Sequence, residues 1–268
     1  MDWANISKGE AMVARMQGKV LGAISRRTIP YFLAGMLALA AIHTHAGVSL
    51  ESTRVIYKEG QRDISIKLSN NEKAKNALVQ IWMDDGDPDA DAGQANIPFL
   101  INPPLAKIEA GKAQVVRIAF IGEKLNPKNE SVYWLNVLEI PPKSTEPSQL
   151  SFAIRSRVKF FYRPKAIQAL EPLNPANLQW TWNANSDVIQ IQALNTSAFH
   201  WTITSAIAVI ADREYDLNLV TMISPGQATA FAVKGVDHKP DGPSRMRIIA
   251  INDFGGESKF EFEIKDAP

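Results

Sequence analysis

The chain contains no cysteine, which excludes disulfide frameworks, thiol nucleophiles and thiolate metal sites. An excess of one charge is missing too. Its 29 Lys and Arg stand against 28 Asp and Glu, a net +1 over 268 residues, too weak a field to imply nucleic acid as a partner. Histidine is scarce, at four in the chain, and Gly (15) and Pro (16) are too few for a fibrous or low-complexity protein. No apolar run reaches the ~18 residues that a membrane span needs. What is present is a 46% apolar fraction, enough for a packed core, and a length suited to one large or two ordinary domains.

The amino-terminal end stands apart. Arg26 and Arg27 precede an apolar run at 29–42, which is followed by Thr44-His45-Ala46. That order of basic, apolar and small residues predicts a secretory signal peptide over 1–46, cut after Ala46; a retained buried helix is the bland alternative. Ser25-Arg26-Arg27 resembles a twin-arginine signal. Tyr31-Phe32 follows later than that pattern favours, so the general secretory route is expected, with Met12 or Met16 as other possible starts. Removing 1–46 leaves 24 basic and 26 acidic side chains, a net charge of −2, and two histidines, His200 and His238.

The remaining chain is patterned with a period of two. Ile64, Ile66 and Leu68 alternate with polar residues, as do Val116, Ile118 and Phe120; Tyr133, Leu135 and Val137; Leu150, Phe152 and Ile154; Ile189, Ile191 and Ala193; and Phe260, Phe262 and Ile264. Turn signals such as Glu109-Ala110-Gly111, Ser224-Pro225-Gly226 and Gly255-Gly256 separate these runs. No convincing amphipathic helix is found. The pattern predicts an all-β protein of antiparallel sandwiches. Pro164, Pro172 and Pro175 form a stiff connector after a long strand-like run, so two domains are expected, at 47–165 and 166–268.

Catalytic motifs are not found: there is no Gly-rich phosphate loop, nucleophile elbow or two-His metal motif. His200, in Phe199-His200-Trp201, reads as a packed or edge-strand residue, and His238 as a solvated turn residue. Asp84, Asp85, Asp87, Asp89 and Asp91 have the alternate spacing of a calcium loop. Counting from Asp87, the sixth position is Ala92 and the twelfth Pro98; counting from Asp85, they are Ala90 and Asn96. Neither register supplies the Gly and Glu that such a loop needs. No enzyme activity, metal, cofactor or small-molecule substrate is expected.

Three constellations remain. The first is Thr53-Arg54-Val55-Ile56-Tyr57, the second the run 149–162 with Lys159 between Val158 and Phe160, and the third Ile251-Asn252-Asp253-Phe254-Gly255-Gly256. Taken singly, the first two read as a salt-bridged strand residue and the half-buried face of a central strand. Together with Gly47-Val48-Ser49-Leu50, Pro103-Pro104, Leu135-Asn136-Val137-Leu138-Glu139-Ile140-Pro141-Pro142 and Val158-Lys159-Phe160-Phe161-Tyr162-Arg163-Pro164, in this order and spacing, the chain resembles the periplasmic pilus chaperones, the PapD-like partners of the chaperone/usher pathway.

The resemblance implies two immunoglobulin-like domains in a boomerang arrangement and a periplasmic protein. Its partners would be pilus subunits and an outer-membrane usher. Arg54 and Lys159 match the basic pair that clamps a subunit's terminal carboxylate. Leu150, Phe152 and Ile154 match the donor strand, about 149–160, which completes the subunit's fold and whose edge pairs with subunit backbone. Glu139, Arg163 and Asp253 match an interdomain ion network. The short stretch 141–149 points to the subclass with a short F1-G1 loop. An exposed apolar row also implies self-association of the free chaperone or shielding by its neighbours. An exported two-domain adhesion or binding module accounts for the folds but not for Arg54 and Lys159, and a secreted hydrolase lacks a nucleophile and base.

Overall fold

The computed structural model describes residues 47–89, 97–123, 125–141, 152–183, 189–236 and 238–266. The expected signal peptide and Leu150 lie outside them. Among the described residues only strands and two short 3-10 turns form.

The first sandwich comprises β1 (Val48–Leu50), β2 (Arg54–Lys58), β3 (Ile64–Asn70), β4 (Ala77–Asp84), β5 (Phe99–Asn102), β6 (Leu105–Ile108), β7 (Ala113–Phe120), β8 (Ser131–Ile140) and β9 (Ile154–Arg163). One sheet runs β1-β3-β7-β5 and the other β2-β9-β8-β4-β6. Alternation decides which side chains go inside: Ile66, Leu68, Val116, Ile118, Leu135 and Val137 are buried between the sheets. Tyr57, Phe99 and Phe160 join them, with the Phe99 ring 4.8 Å from Phe160 and 5.5 Å from Tyr57 in edge-to-face contact.

One crossing prepares the functional edge. β1 pairs with β3 in the first sheet; the chain then passes to the second, where β2 runs parallel to β9 starting at Arg54 opposite Lys159. On the other side β8 pairs with β9 from Ile154 to Tyr162. Because β2 begins only at Arg54, β9 residues 154–158 have a neighbour on one side and no described strand on the other.

After Arg163 the connector is tied back to the first sandwich rather than simply extended. Gln168 Nε2 donates to Glu59 O (3.0 Å) and Arg163 O (3.2 Å), and Ile167 is buried. The second sandwich comprises β10 (Leu178–Asn183), β11 (Gln190–Asn195), β12 (Trp201–Ile210), β13 (Arg213–Asp216), β14 (Thr221–Ile223), β15 (Ala228–Ala232), β16 (Ser244–Ile251) and β17 (Glu257–Asp266). β17 is shared between layers: it pairs antiparallel with β16 up to Glu263 and then runs parallel to β10 from Ile264. Trp180 and Trp201 anchor this core at 1% and 0% exposure. Each buries on the order of 200 Å², a transfer gain of about 5 kcal/mol. The chain thus forms two separate apolar cores in two immunoglobulin-like β-sandwiches, the fold class expected.

Candidate functional site

The parallel β2–β9 ladder puts Arg54 directly beside Lys159 on the face opposite the core residues Val55 and Phe160. That face meets the second sandwich. Arg54 is 7% exposed; it donates to Ile251 O (3.0 Å) and Thr202 Oγ1 (3.0 Å), and its guanidinium lies 4.6 Å over the Phe161 ring. Lys159 Nζ donates to the same Thr202 Oγ1 at 3.2 Å. Among the described residues no carboxylate pairs with Lys159, and the nearest acid to Arg54 is Asp253, at 3.9 Å. Two cations therefore share one hydroxyl. Burial first, and then the charge of Arg54, push the Lys159 ammonium down to about 8. Chemically, such a pair can take an anion, because a carboxylate between them would give both charges a partner.

Below the pair lies an ion network. Glu130, buried just before β8, accepts from Arg163 Nε and Nη2 on Oε1 at 3.2 and 2.8 Å. Its Oε2 takes the His200 backbone N–H at 3.1 Å and faces His200 Nδ1 at 3.0 Å. Arg163 also donates to both oxygens of Asp253, at 2.7 and 3.0 Å. Burial acts to lower the Arg163 pKa, but the hydrogen bonds to Asp253 and the charge and hydrogen bonds of Glu130 outweigh it and raise it. His200, expected to be packed, is buried and carries a hydrogen bond within this network.

Here the structure corrects one assignment. Glu139 is not in the network; its Oε2 accepts from Val48 N–H at 3.0 Å. The β8–β9 register explains why. Ser131 faces Tyr162, so the residue meeting Arg163 is Glu130, whereas Glu139 faces Ile154 at the far end of the strand, roughly 30 Å away. The link from Ile140 to Ile154 is too long for turn type to set the register, so no signal in the sequence marks Glu130 over Glu139.

Asp253 is delivered by the turn between β16 and β17. Asn252 Oδ1 accepts from the backbone N–H of Phe254 and of Gly256, both at 3.1 Å, which fixes the turn. Gly255 has φ +78°, and a Cβ there would meet Thr53 Oγ1 at 2.4 Å. Both the left-handed backbone and the close approach of the two sandwiches require glycine.

The second constellation, the run 149–162, carries β9. Phe152 and Ile154 are 72% and 56% exposed and follow the parity of Val158 and Phe160, whose rings and methyls enter the core. The apolar row thus continues past the sandwich, next to the open edge at 154–158. On the other face, Arg157 stacks 4.8 Å from the Trp134 ring and pairs with buried Asp84, which also accepts from Asn136 Nδ2 at 2.7 Å. Burial works to raise the Asp84 pKa, but the hydrogen bonds of Arg157 and Asn136 prevail and lower it. The first acid of the calcium-like run therefore serves the sheet.

Arg54 and Lys159 thus lie side by side where the two sandwiches meet, next to a stretch of β9 that pairs on one side only among the described residues. Family models match both halves: "Pili and flagellar-assembly chaperone, PapD N-terminal domain" over residues 47–168 and "Pili assembly chaperone PapD, C-terminal domain" over 174–262. The chain belongs to the PapD family of pilus-assembly chaperones. It is 33% identical over 218 residues to "Probable fimbrial chaperone YadV" of Escherichia coli K12, covering 79% of this chain and 87% of that one. It is 34% identical over 240 residues to "Chaperone protein FimB/FhaD" of Bordetella pertussis, covering 87% and 94%. The crystal structure of YadV superposes with a TM-score of 0.69 at 28% identity, covering 82% of this chain and all of that one. The protein is accordingly a pilus chaperone.

Proposed function

We propose that this chaperone caps pilus subunits by holding the subunit's terminal carboxylate between Arg54 and Lys159 and adding β9 to the subunit's incomplete sheet. The observation that carries the reading is the position of Lys159, which is at once Arg54's register partner and the residue next to the open edge at 154–158. A carboxylate fixed there sets where the subunit strand starts along β9. Subunit backbone pairs with the free edge, while Phe152 and Ile154, with Leu150 before them, fill the subunit's core. Full burial of three such side chains contributes roughly 4.5 to 9 kcal/mol before ordering costs. Arg163, Asp253 and Glu130 hold the two sandwiches so that Thr202 and Ile251 orient the cations.

In this reading export removes residues 1–46 after Ala46, the protein works in the periplasm, and it passes its subunit to an outer-membrane usher. The free chaperone self-associates through the same edge when no subunit is present. Domain limits of 47–165 and 166–268 suit this division of labour. No catalytic step, metal or cofactor is invoked.

The test is subunit capture by Arg54→Ala and Lys159→Ala proteins. Removing one partner from a desolvated charge site should cost about 2 to 5 kcal/mol of binding. Circular dichroism should remain native while pull-down of subunits is lost. Wild-type capture by both variants would sink the carboxylate clamp.

A further inference from the structure

Glu139, displaced from the ion network, has surroundings of its own. It is half-buried and lies in the ladder between Val79 of β4 and Ile154 of β9. Its hydrogen bond comes from Val48 N–H, and among the described residues no Lys, Arg or His reaches ion-pair distance of it. A half-buried carboxylate with a single neutral donor is poorly compensated.

The backbone packed on it is that of Gly47. A Cβ at Gly47 would lie 2.2 Å from Glu139 Oε2 and 2.8 Å from Oε1, so the carboxylate sits directly against the glycine's Cα. Gly47 cannot swing away, because its carbonyl accepts from Asn71 N–H at 3.1 Å and Val48 is in the β1–β3 ladder opposite Asn70. Whatever nitrogen Gly47 carries is therefore held one bond from the Cα that Glu139 covers. As a peptide amide, that nitrogen offers a neutral N–H; as a chain terminus, it offers a full charge.

We propose that Glu139 is the receptor for a new amino terminus at Gly47, which rests on the reading that export removes residues 1–46. Hydrolysis of the Ala46–Gly47 bond by a leader-cleaving peptidase breaks the C–N bond. The hydroxyl of water goes to the Ala46 carbonyl carbon, its hydrogen goes to the departing nitrogen, and the proton lost by the new Ala46 carboxylic acid turns the amine into an ammonium. An α-ammonium ordinarily titrates at about 7.7 to 8.0, and a carboxylate neighbour favours its charged form. The resulting pair pins β1 to the end of β8. It also neutralises the one acid that stands in register with Ile154, at the margin of the apolar row. Processing thus completes the edge that receives the subunit. The site is selective for position, since a cut one residue earlier moves the charge by about 3.4 Å.

The experiment is a double-mutant cycle on four proteins: the chain beginning at Gly47 and the chain keeping Ala46 in front of it, each with and without Glu139→Gln. Both described cores lie after residue 46, so all four contain the complete fold. Glutamine keeps an acceptor for Val48 N–H, so that bond cancels between the two backgrounds. Glu139→Gln should lower the Tm of the Gly47 chain by about 2 to 4 °C and that of the Ala46 chain by clearly less. Should Glu139→Gln fail to fold, Gly47→Ala takes its place: its Cβ displaces the carboxylate, and the Gly47 chain should again lose more than the Ala46 chain. Equal losses in both backgrounds overturn the proposal. So does amino-terminal sequencing of the exported protein that finds a first residue other than Gly47, an outcome that also rejects the export reading, which the equal-loss result does not touch.

Discussion

Lys159 is paid for in stability. Its lowered pKa, about 8, means that folding disfavours its charge, through burial first and the Arg54 charge second. At pH 7 the ammonium is charged in both the folded and unfolded states, and that penalty is present in full; between pH 8 and the ordinary lysine value the folded state has released its proton and the unfolded state has not, so stability rises with pH there. Lys159→Met should therefore keep or raise the Tm at pH 7 in a thermal melt, even as subunit capture is lost. In the proposed complex a carboxylate beside Lys159 favours its charged form, which would couple capture to protonation. Affinity should be flat from pH 6 to 7 and fall as pH rises through 8 to 9, as read by titrating labelled subunit at each pH. A flat profile to pH 9 would separate Lys159 from the bound anion. At this scale the sequence exposed the charges but not their neighbours: Thr202, which joins the two cations, carries no motif that marks it.

Within the strands, one parity of the run through β9 meets two environments. Val158, Phe160 and Tyr162 build the first core, whereas Phe152 and Ile154, of the same parity, stand in solvent. A strand entirely within its own core could not accept a charge on that face, because an unpaired buried charge is strongly destabilising. Phe152→Glu should thus leave the free chaperone's Tm nearly unchanged and abolish subunit rescue, whereas Phe160→Glu should unfold the first sandwich. A collapsed melt in Phe152→Glu would make 152–154 part of the chaperone's own core. The alternation of Leu150, Phe152 and Ile154 was legible in the sequence, but it looks the same as that of Val116, Ile118 and Phe120, which are packed in the core. Period two tells which side chains share a face and says nothing of whether a second sheet covers it.

Across the whole molecule, the two sandwiches are joined through buried charge. Glu130 and Arg163 are nearly solvent-free, with side chains 3% and 7% exposed, while Asp253 is 28% exposed. Removing one member of a buried pair costs about 3 to 5 kcal/mol, because the other charge stays behind unpaired. Glu130→Gln should accordingly lower the denaturation midpoint more than Asp253→Asn and split the single transition into two, measured by tryptophan fluorescence in guanidinium. A single transition at the wild-type midpoint would show that the network does not couple the domains.

Periodicity and proline placement set the β class and the division into two sandwiches, and the resemblance to the family picked out Arg54, Lys159, Arg163 and Asp253, which the structure brings to the meeting of the sandwiches. The strand pattern is local and legible in short stretches, whereas the four charged residues stand out only through the order of motifs along the whole chain. Only the tertiary structure decided which acid meets Arg163, because the β8–β9 register, and not the motif, brings Glu130 to one end and leaves Glu139 at the other beside Gly47. It also decided that, among the described residues, 154–158 of β9 pair with a strand on one side only. This follows because the chain leaves one sheet after β1 and enters the other only at Arg54, a crossing set by long-range pairing that no short stretch of sequence records.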